Sequence, residues 1–484
     1  MNDITGILRS YYRQPAVRQR IGEFLGGDCI ANATCQYITA DGTARADRKP
    51  LPPEDLPLGL EGGLDICRSL WDREALIAHL DVEYVNFDFA AEPYLDPDRA
   101  FELQEPVART IDSLFQQAGI CPLHVLSGRG HHYAWSISAR SSAFDSLVAI
   151  GNAAAFKDTT SYPPRGCAVS PVMACAFAGL GLVMEFFAHK VKKLASPLCE
   201  IPVDLTAVEV GPSARGREMI SIDISEYGDP LHTRTVRVPF SGYLKPWQQK
   251  GMLGDHIVNS LDPLIFVPLA GQKWQIDTHR MRSPAMASEL AETTSAKIPE
   301  QTDGTRNLID TYTVSSLRTF HEWFYSEDHE TPENWRRTYD RLDGTSLPPC
   351  ARHVLACPND LLLRPCNMRL LTHVLLARGW HPRHIAGLIR SKFERDYGWG
   401  EQWVGYDPST RADFYTRIFA GLFAVGVDDL VDLNCRSAHE KGTCPMGPCS
   451  DNLEHIQKLA REIRDDDKLA GGDFHGMFLQ EKHS

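Results

Sequence analysis

The sequence predicts an α+β fold leading into a mainly α-helical C-terminal domain, and three observations predict it. From about Leu76 to Pro268, short segments of alternating apolar and polar residues are separated by helical stretches. Further on, Leu370, Leu371, Val374 and Leu375, then Ile385, Leu388 and Ile389, recur at three- and four-residue steps, the period of helices. Between these regions lies Met281 to Arg306, rich in Ser, Thr, Ala and Glu and without aromatics, a composition suited to a linker.

Taken in order, residues 5 to 25 read as a helix and Asp41 to Gly63, rich in Pro, Gly and charge, as loop. Residues 1–74 thus form the N-terminal part of a module whose patterned body is 75–268. Residues 269–340 read as linker and connecting helices, 341–465 as a helical region holding several cysteines, and 466–484 as a frayed tail. Inside the helical region, Gly379-Trp380-His381-Pro382 supplies a helix stop and then a Pro suited to a first helical position. A chain of 484 residues agrees with about two to three domains.

Composition narrows the function classes. With 43% hydrophobic and 23% charged residues the chain is of globular type, and no apolar run approaches the ~20 residues of a membrane span, so none is expected. Met1-Asn2-Asp3-Ile4 lacks the basic stretch and apolar core of a signal peptide, and a cytoplasmic location is the expectation. Thirteen cysteines in a reducing compartment read as buried thiols and metal ligands rather than disulfides. A net charge of −13 disfavours a surface that binds nucleic acid all over, so contact must be local. Between Asp360 and Arg395, Arg and Lys outnumber acids, with Arg364 and Arg369 the leading candidates.

Three segments carry candidate chemistry. In Leu80-Asp81-Val82-Glu83-Tyr84 a strand would bury Leu80, Val82 and Tyr84 and present Asp81 and Glu83 on one face. Paired carboxylates suit Mg²⁺ or Mn²⁺, although an edge strand with a solvated acidic face has the same pattern. Asp88, just downstream, competes for the second carboxylate, while Asp96 and Asp98 flank Pro97 as turn residues. In Leu126-Ser127-Gly128-Arg129-Gly130-His131-His132, a turn lies between two apolar strands. Gly128 and Gly130 would let backbone N–H groups approach phosphate oxygens, with Ser127, Arg129 and a histidine as side-chain donors. Tyr133 and Trp135 are candidates to line a sugar or base. Third, Ile220, Ile222 and Ile224 alternate with Asp223, and a following segment offers Arg237 and Lys245 to phosphates.

Asp-x-Glu, then Ser-Gly-Arg-Gly-x-His, then an apolar-flanked Asp ahead of Arg-x-Pro-x-Ser resembles the three motifs of the archaeo-eukaryotic primase (primase-polymerase) superfamily. The resemblance covers roughly residues 75 to 250. It implies a catalytic domain of mixed and antiparallel sheets with flanking helices. Asp81, Glu83 and Asp223 would hold two Mg²⁺ or Mn²⁺ ions. Ser127, Gly128, Arg129, Gly130 and His132 would bind the triphosphate, with Arg237 and Lys245 as further cations. Where some relatives carry a histidine after Pro-x-Ser, this chain has Tyr243.

Cys350, Cys435, Cys444 and Cys449, with Cys357 and Cys366 between them, lack the close pairs usual in zinc sites. Scattered cysteines suit an iron–sulfur cluster if the fold gathers them. Pro348-Pro349-Cys350, the basic two-helix unit, Asn434-Cys435 and Gly442-Thr443-Cys444-Pro445 through Cys449 resemble the C-terminal iron–sulfur domain of the primase large subunit, over about 345 to 455. That resemblance implies a [4Fe–4S] cluster on the four cysteines, zinc being the alternative, and a template contact through Arg364 and Arg369.

The expectation is one polypeptide that makes short primers de novo from nucleoside triphosphates on a single-stranded DNA template, with a replicative helicase or polymerase as candidate partner. Two alternatives stay open: a repair or translesion polymerase that extends existing primers, and a catalytically inert nucleic-acid-binding or redox module.

Overall fold

The structure, a computed structural model of the chain, describes residues 3–27, 30–41, 50–153, 169–211, 217–271, 274–395, 407–445, 449 and 452–464. The expected tail at 466–484 lies outside the described residues. The fold is mixed α+β with a helical C-terminal region. Strands β1 (Ile38–Asp41), β2 (Asp65–Ser69), β3 (Ala75–Asn86), β4 (Leu123–Leu126), β5 (Gly130–Ser138), β6 (Val203–Leu205), β7 (Glu218–Asp223), β8 (Thr235–Arg237) and β9 (Val267–Pro268) form two sheets. A six-stranded sheet has the order β6-β7-β3-β5-β4-β9, and a three-stranded one the order β1-β2-β8. Among the described strand pairs of these two sheets only β6–β7 is parallel, and an isolated parallel bridge joins Ser136 to Glu300.

The alternation read from the sequence governs β3, the central strand. Leu80, Val82 and Tyr84 are fully buried, while Asp81 and Glu83 take the other face. The strand starts earlier than Leu80 because Leu76 to Ala78 are buried on both faces. On β7, Ile220 and Ile222 are buried in the same way, and Asp223 ends the strand.

Several expectations are corrected. The single helix expected over 5 to 25 is two, Ile4–Tyr11 and Pro15–Phe24, because Pro15 cannot continue a helix but suits a first turn. The loop expected to Gly63 contains the helix Leu56–Gly62. The expected linker at 281–306 is folded in: it contributes the helix Pro284–Thr293 and the start of Thr302–Thr313. Ser136 of β5 donates its N–H to Pro299 (2.9 Å) and accepts from Gln301 N–H (2.9 Å), which ties that segment to the sheet. The main hydrophobic core draws on residues from Leu8 to Ala460, and a smaller second cluster gathers Tyr94, Val125, Tyr243 and Phe266.

One helix, Pro171–Leu198, is after all long and apolar enough to cross a membrane, and 72% of its most apolar stretch is buried inside the fold. A helix apolar on all sides is also what a core centre requires. Its buried Glu185 is matched by Arg417 (2.8 Å) and His321 (3.1 Å) from C-terminal helices. The helices Pro365–Leu376 and Pro382–Phe393 fall where the periodicity places them, with Gly379 in the left-handed region between them (φ 82°).

Candidate active site

Register across the sheet assembles the site. Asp81 lies opposite His132 on β5 and opposite Asp223 on β7, while Glu83 lies opposite Gly130 and Ser221. Residues directly opposite on adjacent strands share a face, so the three carboxylates and His132 point the same way. His131 is one residue out of phase and faces the other side, edge-on to Phe101 and 2.9 Å from His124. Tyr133 and Trp135, expected near a sugar or base, sit in the core instead, where the Trp135 indole N–H donates to Thr305 (3.0 Å).

The turn between β4 and β5 is held by its own serine. Ser127 Oγ accepts from Gly130 N–H (3.0 Å) and from Arg129 N–H (3.3 Å). The Gly130 N–H is therefore occupied within the turn, and sterics independently call for glycine at both 128 and 130. They are required for packing: a Cβ on Gly128 would lie 2.6 Å from the Tyr243 ring, and one on Gly130 would collide with the Val82 carbonyl. Tyr243 occupies that space, its hydroxyl 3.2 Å from that of Tyr94.

Charge is distributed unevenly. The Arg129 guanidinium forms an ion pair with Glu83. Burial alone would push the Glu83 carboxyl up, but Arg129 and Lys245 outweigh it and hold it down to about 2. Asp81 goes the other way: burial, then the charges of Glu83, Asp223 and Glu226, raise it well above the ordinary carboxylate range. Asp81 Oδ1 is 3.3 Å from His132 Nε2 yet forms no hydrogen bond. Burial and the neighbouring His79 depress the His132 imidazole. Asp223 Oδ1 accepts from Ser225 N–H (2.8 Å). Arg237 pairs with Asp65 and lies over the rings of Tyr243 (4.6 Å) and Phe266 (5.3 Å).

Two residues were missed. His132 Nδ1 is 3.0 Å from His79 Nε2, and His79 Nδ1 is 3.0 Å from Glu226 Oε1, so a hydrogen-bonded chain runs from His132, beside Asp81, to Glu226. Extending the period-two alternation of β3 two residues back from Asp81 would have found His79.

Among the described residues no three His, Cys, Asp or Glu side chains already converge as a closed ligand set, since Glu83 is turned to Arg129 and Asp81 toward His132. The donors nevertheless fit a hard divalent cation: carboxylate oxygens on one face, one of them a buried acceptor without a hydrogen bond. Mg²⁺ sites of this type complete their shell with water and substrate phosphates rather than an all-protein cage.

Other expected site residues lie elsewhere. Asp88 is on the surface, paired with Arg217 (2.7 Å). Arg369 is corrected from template contact to core ion pair: it binds Asp204 (2.5 Å) and Asp428 (2.5 Å), and its side chain is only 12% exposed. Arg364 is half-buried, paired with Glu209 and donating to the Lys441 carbonyl (3.2 Å). Much of the basic stretch is likewise matched, as with Arg383 on Asp413 and Arg395 on Asp340.

Cys350, Cys435, Cys444 and Cys449 are near enough to act on one another electrostatically, though among the described residues they form no closed ligand group. Burial, then the proximity of Cys444 and Cys435, pushes the Cys350 thiol up to about 12, and Cys449 acts on Cys435. Cys435 Sγ accepts from Leu453 N–H (3.3 Å), the kind of contact that supports a metal-bound thiolate. Cys357 and Cys366 have other neighbours, His353 and Glu209.

Comparison of the chain with protein-family models, with curated proteins and with solved structures gives no match.

Proposed function

We propose that the chain is a template-dependent nucleotidyltransferase that makes short primers de novo on single-stranded nucleic acid. The observation that carries the reading is the cross-strand register that sets Asp81 beside Asp223 and His132, with Glu83 and Arg129 next in line. Three carboxylates from two strands, with cations on one flank, are the parts that metal-assisted phosphoryl transfer requires.

In this reading Asp81, Glu83 and Asp223 hold the divalent ions, Mg²⁺ or Mn²⁺. When bound, such ions lower the pKa of an attacking hydroxyl and neutralise charge on the leaving pyrophosphate. Arg129, Arg237 and Lys245 supply positive charge to the triphosphate, and the Ser127 turn fixes the backbone from which Arg129 reaches. His132, kept neutral by burial, offers a hydrogen bond rather than a charge. The buried face of β3 and the packing of Tyr243 on Gly128 set the distances among these groups. Cys350, Cys435, Cys444 and Cys449 hold a [4Fe–4S] cluster in the same reading, with zinc as the alternative.

The test is incubation of the purified chain with single-stranded templates, labelled nucleoside triphosphates and Mg²⁺ or Mn²⁺, without primer. Labelled oligomers that require template and metal are expected. Extension only of a supplied primer would make the chain a repair-type polymerase, and incorporation unchanged in an Asp81→Ala/Glu83→Ala variant would remove the enzymatic reading.

A further inference from the structure

In the structure the Arg129 guanidinium neutralises Glu83, and both side chains are largely buried, 17% and 15% exposed. On the proposed reading the two groups face different ligands: Glu83 a divalent cation, Arg129 a triphosphate. These duties exclude the contact now present, because a cation on Glu83 would sit against the guanidinium and repel it. We infer that the Glu83–Arg129 pair is an exchange latch, in which metal takes Glu83 and triphosphate takes Arg129, so that each ligand opens the place of the other. The inference rests on the nucleotidyltransferase reading and adds to it a coupling between the two binding events.

The physical argument is the cost of a lone buried charge. A divalent ion arriving alone must displace Arg129 and leave its guanidinium buried without an anion, which is far costlier than leaving the pair intact. A triphosphate arriving alone must draw Arg129 away and leave Glu83 as a buried carboxylate close to Asp81 and Asp223, whose charges already act on one another. When both arrive, Arg129 gains phosphate oxygens, Glu83 gains the ion, and neither charge is stranded.

Two details of the geometry favour exchange over a fixed structural pair. Arg129 Nε is buried and has no hydrogen-bond partner, so the guanidinium has a donor still unused while it rests on Glu83. The Arg129 backbone is pinned, its N–H to Ser127 Oγ and its carbonyl accepting from Tyr84 N–H (3.1 Å) and Gln104 Nε2 (3.0 Å). Side-chain rotation alone can therefore carry the charge from Glu83 to a ligand without remodelling the turn. The core pair of Arg369 with Asp204 and Asp428 differs in having two carboxylates on one guanidinium.

Ordinary metal bridging by a nucleotide also makes the two ligands cooperative, so the diagnostic signature is what each substitution does to the opposite ligand. With the full chain at pH 8, Mn²⁺ binding is read from the loss of the free-ion electron paramagnetic resonance signal. Binding of an α,β-methylene nucleoside triphosphate in the presence of chelator is read by calorimetry. Arg129→Gln is expected to bind Mn²⁺ alone about tenfold or more tighter than the wild type, although the residue lost is a cation assigned to the nucleotide. Glu83→Gln is expected to bind the metal-free analogue about tenfold or more tighter, although the residue lost is assigned to the metal. Unchanged or weaker binding of the opposite ligand in folded variants overturns the latch. Should Arg129→Gln fail to fold, Glu83→Gln, which keeps the native side-chain shape, decides alone. A wild-type chain that makes primers while the variants show no gain keeps the function and loses the latch; a wild-type chain that binds neither ligand when Mn²⁺ and the analogue are supplied together loses both.

Discussion

Replacing Asp81 by Asn separates what this carboxylate does for function from what it costs the fold. Asp81 lies beside Glu83, Asp223 and Glu226, and its Oδ1 is a buried acceptor without a hydrogen bond. Folding raises its pKa above the unfolded value of about 4. The native state therefore holds the extra proton, and stability is lost as pH rises from that value through the folded pKa. Below about pH 4 the penalty is absent, because Asp81 is protonated in both states. Asn has the same shape and no charge, so Asp81→Asn should recover about 1–3 kcal/mol at pH 8, the cost of a buried group left unsatisfied. For a chain of this length that is a rise in melting temperature on the order of 1–2 °C per kcal/mol. Primer synthesis should fall about 10³-fold, the scale on which a single preorganised charge contact acts on a transition state. The assay pairs thermal unfolding at pH 4 and pH 8 with primer-free incorporation in Mn²⁺. A variant that melts below the wild type at pH 8, or that synthesises primers at near wild-type rate, would refute the reasoning.

Other substitutions probe neighbouring parts of the same account. Glu83, held down to about 2, contributes stability that is present above its unfolded pKa of about 4.3 and is lost as pH falls toward 2. Urea titrations should thus find Glu83→Gln destabilised by roughly 3 kcal/mol at pH 7, with the gap closing in acid. Arg369→Ala, which leaves Asp204 to Lys192 and Asp428 to His373, should cost about 3 kcal/mol in chemical denaturation and leave the single-stranded DNA affinity of the folded fraction unchanged. Normal stability with weakened DNA binding would return Arg369 to the surface role. Anaerobically purified wild-type chain should show visible sulfur-to-iron absorption that Cys350→Ser lacks, and a preparation with neither iron nor zinc by elemental analysis would remove the cluster.

What the sequence made legible was what depends on local period. The faces of β3 and β7 follow from strict alternation, and so do the shared direction of Asp81 and Glu83 and the burial of Ile220 and Ile222. The helices around Gly379 follow from a stop signal and a proline. What stayed hidden depends on partners remote in sequence. Arg369 looks like a surface cation in a basic run until Asp204, 165 positions earlier, and Asp428 close on it. That Gly128 must be glycine because Tyr243 fills the space beside it is equally invisible in the local sequence. Met281 to Arg306 has a linker's composition, but Pro299 and Gln301 pair with Ser136, a contact that no local pattern announces.

The buried acids of the chain also rank themselves. Glu185, Asp413 and Asp428 are each buried, which alone would raise their pKa, yet nearby cations hold each well below the ordinary carboxylate range: Arg417 beside Glu185, His329 and then Arg383 beside Asp413, Arg369 beside Asp428. Glu185–Arg417 joins two helices and Arg369 joins its helix to β6 through Asp204 and to the segment after Ala424 through Asp428, so these charges are matched within the protein. Asp81 is raised instead, its neighbours are other acids, and Arg129, the cation that could have offset it, is committed to Glu83. A fold that sets cations against Glu185, Asp413 and Asp428 but crowds Asp81 among other acids on the central strand keeps a cost that packing alone does not explain. Sites that violate the local rule of charge pairing are where function is expected. On the proposed reading a divalent cation is the group that would satisfy Asp81, with Asp223 and Glu83 on the same face of the sheet.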